Sequence, residues 1–170
     1  MELDVSMNPP TVVLGYEQCP AGVAALQAAA DLVRRIGGTL HVVHAIAPLD
    51  VVPMTGITGA PIALPTELDP DELERQLTVE TSVIERAVAG QLSQDTPHTV
   101  VVRAMHPAAL IAEEADRVNA YMVVVGATES GFGAAIDRAL TGGSTAHALE
   151  QDVRHHAHWP LLVVPSPDKD

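Results

Sequence analysis

Five short apolar runs, separated by stretches with helical periodicity, constrain the fold of this chain more than any other feature. The runs are rich in Val and Leu and are bounded by Gly, Pro or polar residues, which is typical of buried parallel strands. The predicted strands cover residues 11–16, 39–46, 98–103, 121–125 and 161–164. Alternation with helices predicts right-handed βαβ units. We therefore expect an α/β fold: a Rossmann-like, doubly wound, five-stranded parallel sheet with helices on both faces.

Residue types that favour helix ends mark the segments between the strands. Pro20 is placed for the first position of a helix, and the pair Gly37-Gly38 ends that helix. Asp69 is a candidate cap for the second helix, with Pro70 at its first position. The predicted helices cover residues 21–36, 70–92, 107–118 and 144–156. The expected buried side of the second helix carries Leu73, Leu77, Val83, Ile84 and Val88.

The chain length predicts one domain. We assign residues 11–165 to that domain, residues 1–10 to a flexible N-terminal tail and residues 166–170 to a C-terminal tail. Within the domain, residues 48–70 contain five prolines and two glycines. This composition disfavours regular structure and predicts a long surface loop.

Composition argues against several classes of partner. The formal net charge is −13, and Lys169 is the single lysine. Nucleic acids and anionic membranes require clustered Lys and Arg, so we expect neither as a partner. No apolar run reaches the roughly 18 residues of a membrane span. The single cysteine, Cys19, excludes an internal disulfide and is compatible with a cytoplasmic location.

Histidines and the cysteine have both functional and structural interpretations. In the cluster of His155, His156 and His158, the pair His155 and His158 could hold a metal, but cationic side chains at a helix end also stabilise the helix dipole, so no metal site is predicted. His41 and His44 lie in an apolar strand and are expected to be hydrogen-bonded core residues. Cys19 at a helix start is either a reactive thiol or an ordinary unreactive cysteine, and the nearby Glu17 would oppose formation of the thiolate.

A glycine-rich stretch follows the fourth strand. Gly126 ends the apolar run, and two further groups follow at residues 131–133 and 142–145, the second ending in Ser-Thr. Glycines let backbone N–H groups approach a ligand, and a helix N-terminus favours anions. The stretch therefore predicts phosphate binding at the carboxyl edge of the sheet. Glu129 adds negative charge, and no Lys or Arg lies between Gly126 and Ile136.

Several segments resemble, in order, those of the universal stress protein family. VVLGYEQCPAGVAALQAAADLV is similar to the family's first strand and helix, LHVVHA to its second strand and MHPAALI to the entry of its third helix. AYMVVVG with the following glycines resembles its fourth strand and nucleotide loop, and RHHAHWPLLVV its closing helix and strand. The resemblance implies a Rossmann-like domain that is usually cytosolic and homodimeric, often paired through the last strand, here Leu161–Val164. Some members bind ATP or related adenine nucleotides, and enzymatic turnover is not their usual role.

The resemblance also implies site residues. Nucleotide-binding members carry an acidic residue after strand one and a Gly-x2-Gly-x9-Gly-Ser/Thr pattern after strand four. Here a glutamate replaces the usual aspartate, Gln18-Cys19 replaces Gly-Ser, and Glu129 occupies the second glycine position. Gly133 fits that position only with about four inserted residues. The implied cofactor-binding residues are Glu17, Ala45, Val125, Gly126, Gly133, Gly143, Ser144 and Thr145.

Three functions remain open at this point. The first is a dimeric stress-response domain that works by binding or interaction, with a protein partner that the sequence does not name. The second is a switch that binds ATP or AMP, with Mg²⁺ if the ligand is ATP. The third is an enzyme of the wider nucleotide α-hydrolase-like fold, which requires a Gly- and Ser-rich phosphate loop where residues 17–20 read Glu-Gln-Cys-Pro. Ser144 and His147 lie one turn apart on a predicted helix, but Ser-x-x-His spacing by itself does not indicate a catalytic pair. We therefore predict no catalytic residues and no enzymatic activity.

Overall fold

A computed structural model describes residues 8–46, 70–127 and 158–167. Its five strands form one parallel sheet in the order β3-β2-β1-β4-β5, which confirms the predicted fold class. The elements are β1 Thr11–Gly15, α1 Pro20–Ile36, β2 Thr39–Ile46, α2 Pro70–Ala89, β3 His98–Ala104, α3 Pro107–Arg117, β4 Met122–Gly126 and β5 Leu161–Val164.

The two ends of α1 follow directly from its sequence. Pro20 occupies the first helical position, and the Cys19 side chain caps the helix, with Sγ accepting from the Gly22 N–H at 3.3 Å. Gly37 closes the helix in the left-handed region at a φ of 64°, which glycine adopts without steric cost. Both predicted helix ends are therefore confirmed.

Most element boundaries differ from the predictions by a few residues. β1 ends at Gly15 rather than Tyr16, and β4 runs to Gly126 rather than ending at Val125. α2 ends at Ala89, about one turn before the predicted end. The predicted helix at residues 144–156, Asp69 and residues 48–69 of the predicted loop lie outside the described residues, as do residues 1–7 and 168–170.

Helices cover both faces of the sheet, as expected. α1 and α2 pack on one face, against Val12, Leu14 and Val124. α3 packs on the other face, against Val13 and Val123. Both faces of the central strands are therefore buried, which explains why these strands are continuous Val and Leu runs rather than alternating patterns.

The buried side of α2 is narrower than predicted. Ile84 and Val88 are fully buried, whereas Val83 is 37% exposed. Because residue 83 lies about 100° around the helix from residue 84, it cannot share the line that residues 84 and 88 present to the sheet. The prediction that Val83 lies on the buried side is wrong.

A buried ionic network fixes α3 to the sheet. Glu114 is fully buried, and its Oε2 accepts from His41 Nε2 at 2.8 Å and from Arg117 Nε at 3.0 Å. His41 Nδ1 lies 2.6 Å from Thr99 Oγ1, so both ring nitrogens are engaged and the expectation of a hydrogen-bonded core histidine is confirmed. Glu114 Oε1 forms an ion pair with Arg103 Nη2 at 3.2 Å without hydrogen-bond geometry.

Candidate functional site

The order of the strands creates a crevice at the carboxyl edge of the sheet. β1 pairs with β2 on one side and with β4 on the other, and α1, which follows β1, lies on the opposite face from α3, which precedes β4. The strand order therefore reverses between β1 and β4, because β2 and β3 follow on one side of β1 and the chain returns to β4 on its other side. In doubly wound sheets this reversal of strand order is where ligands bind.

A cleft occupies this position. Its cavity volume is about 40 Å³, which is well below the roughly 300–1,000 Å³ of typical small-molecule sites. Its described walls come from β1, the β1–α1 loop, α1, β2, α3 and β4. The lining residues are Gly15, Tyr16, Glu17, Cys19, Gly22, Val43, Ala45, Pro107, Ile111, Val125 and Gly126.

The cleft brings together four of the eight predicted site residues: Glu17, Ala45, Val125 and Gly126. They come from three separate segments of the chain, so only the fold places them side by side. Their contacts with a ligand remain a prediction. The other four, Gly133, Gly143, Ser144 and Thr145, lie outside the described residues.

Two glycines of the cleft are required by packing between backbones. A Cβ on Gly126 would lie 2.7 Å from the carbonyl carbon and oxygen of Ala21. A Cβ on Gly22 would lie 2.0 Å from the Glu17 carbonyl oxygen. The first turn of α1 thus sits directly against the end of β4 and the β1–α1 loop. Gly126 therefore has a structural role beside the ligand contact that the sequence suggested.

The chemistry of the described walls suits an uncharged ring and a hydroxylated group better than a chain of phosphates. Val43, Ala45, Ile111 and Val125 supply apolar surface, and Glu17 supplies a carboxylate. No Lys or Arg is among the described lining residues. The positive ends of the helix dipoles of α1 and α3 also face this edge, since both helices begin there.

Sequence reasoning missed the contribution of α3. Pro107 and Ile111 line the cleft, and an added Cβ on Gly15 would meet Ile111 Cδ1 at 2.5 Å. Ile111 therefore fills the space beside the end of β1. The order of the elements could have indicated this contribution. Because α3 follows β3 in a parallel sheet, its first turn begins at the same edge as the turns after β1 and β4.

His44 connects the cleft with α2. Its Nδ1–H donates to the Tyr16 carbonyl oxygen at 2.8 Å, and its Nε2 lies 3.4 Å from Glu80 Oε1. The expectation that His44 is hydrogen-bonded is confirmed. The Tyr16 side chain is buried in the core below, and this burial raises the pKa of its hydroxyl, which lies 3.5 Å from Gln91 Nε2.

The described residues give no support for a metal site or a membrane-spanning helix. There, no three His, Cys, Asp or Glu side chains gather closely enough to hold a metal ion. His155 and His156 fall outside these ranges, and His158 is an exposed residue just before β5. None of the helices at residues 20–36, 70–89 and 107–117 combines the length and hydropathy needed to cross a bilayer.

Comparison with known proteins identifies the family. A family model described as the universal stress protein family matches residues 10–165, nearly the whole chain. The chain belongs to the universal stress protein family. The resemblance seen in the sequence is thereby confirmed, and the cleft of this universal stress protein lies within the matched region. No curated protein matches the chain.

Solved structures of other universal stress proteins have the same fold. One, in complex with cAMP, has 18% identity and a TM-score of 0.56 over 94% of this chain and 99% of that chain. UspA from Lactobacillus plantarum has 17% identity and a TM-score of 0.57 over 92% and 98%. A family member from Arabidopsis thaliana with AMP bound has 12% identity and a TM-score of 0.51 over 94% and 93%. At these identities the likeness shows the fold alone.

Proposed function

We propose that this universal stress protein binds an adenine nucleotide with few phosphates in the cleft beyond β1 and β4, and that it acts through binding rather than turnover. The observation that carries the proposal is the convergence of Glu17, Ala45, Val125 and Gly126 on one cleft at the reversal of strand order. Relatives of the same fold that were solved with cAMP and with AMP support the choice of ligand class.

In this proposal the described walls hold the nucleoside part of the ligand. The apolar side chains of Val43, Ala45 and Val125 contact the base, which has an apolar face. The Glu17 carboxylate accepts a hydrogen bond from a ribose hydroxyl. The phosphate end extends toward the glycine-rich stretch, where the family pattern assigns Gly133, Gly143, Ser144 and Thr145.

Charge favours a monophosphate over ATP. The chain has a formal net charge of −13, and the described lining contains a carboxylate but no Lys or Arg. A triphosphate would bring several further negative charges and would depend on Mg²⁺ for neutralisation. We therefore expect AMP or cAMP to bind more tightly than ATP without Mg²⁺.

Release of bound nucleotide tests the proposal. Protein purified without added nucleotide is denatured, and the supernatant is analysed by chromatography and mass spectrometry. Thermal unfolding of the folded protein is then measured with AMP, cAMP, ATP with and without Mg²⁺, and GMP as a control. We expect an adenine nucleotide in the supernatant or a higher midpoint with AMP or cAMP than with GMP. If no adenine nucleotide is released and none raises the unfolding midpoint, the proposal is rejected.

Binding without turnover has its own test. AMP, cAMP or ATP with Mg²⁺ is incubated with the protein for hours and then quantified. We expect each nucleotide to be recovered unchanged. Conversion that depends on the folded protein and persists through repeated purification would instead support the enzymatic alternative.

A second proposal concerns assembly: this universal stress protein forms a homodimer through β5. β5 lies at the edge of the sheet that the described strands form, where it pairs with β4 alone, and Leu162 and Val163 are 39% and 41% exposed. An exposed apolar edge strand is a ready pairing surface. Sedimentation that shows only monomer at micromolar concentration would reject this proposal.

A further inference from the structure

The hydrogen-bond ladder between β1 and β2 ends one bond early at the proposed cleft. The Tyr16 N–H donates to the Val43 carbonyl at 2.9 Å. In a parallel pair, the next bond would run from the Ala45 N–H to the Tyr16 carbonyl. That carbonyl instead accepts from His44 Nδ1 at 2.8 Å, and the register of β1 with β2 ends at Gly15 and Val43.

The imidazole is held in this position from two sides. A carbonyl oxygen can only accept, so Nδ1 carries the hydrogen that Tyr16 receives. On the other side of the ring, Nε2 lies 3.4 Å from Glu80 Oε1 of α2. Glu80 stands one turn before Ile84, which is fully buried against the sheet. The packing of α2 therefore places Glu80 beside the ring.

We propose that His44 is a positioning residue of the nucleotide cleft. By occupying the Tyr16 carbonyl, its side chain takes the place of the last bond between β1 and β2 and keeps the Ala45 N–H from pairing with Tyr16, while Ala45 stays paired with β3. The Ala45 N–H then faces the cleft, which Ala45 lines, and is presented to the ligand. This inference rests on the proposed nucleotide binding, although its effect on the ladder can be measured without a ligand.

Three substitutions of His44 separate the roles of its two ring nitrogens. Leu removes both contacts. Asn places an amide N–H where Nδ1 stands and so retains donation to Tyr16, whereas Gln places its amide near Nε2 and retains only the Glu80 contact. His98→Leu is the matched control, because His98 Nδ1 also donates to a backbone carbonyl, that of Thr96 at 2.9 Å, at the opposite edge of the sheet.

Two readouts are measured on these variants: AMP affinity by calorimetry and hydrogen exchange of the Ala45 amide by NMR. Loss of an orienting hydrogen bond is expected to weaken AMP binding about tenfold in His44→Leu and His44→Gln. His44→Asn is expected to stay within about threefold of the original protein, and His98→Leu to match it. The Ala45 amide should exchange more slowly in His44→Leu and His44→Gln, because the freed Tyr16 carbonyl accepts it.

The outcomes distinguish this inference from the proposed function. If the original protein binds AMP and His44→Gln binds it equally well, the positioning role is overturned. Equal losses in His44→Asn and His44→Gln would also overturn it, since donation to Tyr16 would then not matter. If the original protein binds no nucleotide, the proposed function fails. Hydrogen exchange alone then tests whether His44 replaces the hydrogen bond from Ala45 to Tyr16. Unchanged Ala45 exchange in both His44→Leu and His44→Gln would overturn that role. Circular dichroism identifies any variant that does not fold, and the positioning role of His44 is then judged from the variants that do fold.

Discussion

At the scale of single residues, Glu114 shows how this fold holds a charge in its interior. Burial by itself raises the pKa of the Glu114 carboxyl, but hydrogen bonds from Arg117 and His41, together with their charges, outweigh burial and hold that pKa below its ordinary value. The carboxylate in turn raises the pKa of the Arg117 guanidinium through the same hydrogen bond. The network therefore keeps Glu114 ionised between α3 and the sheet.

Glu114→Gln is expected to lower the free energy of unfolding by about 1–3 kcal/mol, because it removes the negative charge and replaces one of the two carboxylate oxygens, which face only donors, with an NH₂ group. The matched control is Glu113→Gln, which breaks an ion pair with Arg103 between side chains that are each about half exposed. Such exposed pairs contribute roughly 0–1 kcal/mol. Urea unfolding measures both variants. Equal effects would contradict the structural role assigned to Glu114.

Acid is expected to weaken the same network. Because the pKa of Glu114 is lower in the folded state than its ordinary value of 4.5, its stabilising contribution is complete above that value and is lost as pH falls through the folded-state pKa. The free energy of unfolding should therefore fall more steeply below about pH 4.5 in the original protein than in Glu114→Gln. Urea titrations between pH 3 and 7 measure this difference, and parallel pH profiles would contradict it.

At the scale of elements, the contact between α1 and the end of β4 builds one wall of the cleft. Gly126→Ala is expected to destabilise the protein by about 1–3 kcal/mol and to weaken AMP binding, because the new Cβ would lie 2.7 Å from the Ala21 backbone. Gly90→Ala is the control, since its nearest new contact is the Arg86 carbonyl oxygen at 3.3 Å. Thermal unfolding and calorimetry measure both variants. A fully stable Gly126→Ala with unchanged affinity would contradict the close packing of α1 on β4.

Strand and helix identity could be predicted because each element has a strong local signal, whereas several ends could not. The run at residues 11–16 keeps its apolar character through Tyr16, yet the strand ends at Gly15, because the Tyr16 carbonyl bonds to the His44 side chain. Likewise, Val83 has the same local character as Ile84, and only packing on the sheet decides which of the two is buried. Both differences arise from tertiary contacts that a local pattern does not contain.

At the scale of the whole molecule, the alternation of strands and helices was enough to predict the sheet and the edge at which the cleft lies. The residues that end β1 and β4 could be assigned to the cleft because both strands end at that edge. Pro107 and Ile111 could not, because their contribution depends on how α3 packs beside β1. Family resemblance supplied Ala45, whose position in a strand carries no local signal of function.

Assembly through β5 also belongs to this scale. Val163→Lys places a charge on the exposed edge strand and is expected to convert the proposed homodimer to monomer. Val79→Lys is the matched control, because Val79 is 64% exposed on α2, a helix that packs on β3 at the opposite end of the sheet. Sedimentation equilibrium measures both variants. A dimer in Val163→Lys as stable as in Val79→Lys would contradict pairing through β5.

The central claim, that the cleft at the carboxyl ends of β1 and β4 binds an adenine nucleotide, is tested most directly by titrating the ¹⁵N-labelled protein with AMP and following its amide resonances. We expect saturable shifts at Glu17, Ala45 and Gly126, with little change at Thr96 on the opposite edge of the sheet. An absence of saturable shifts in the folded protein, or shifts confined to residues away from the cleft, would contradict the claim.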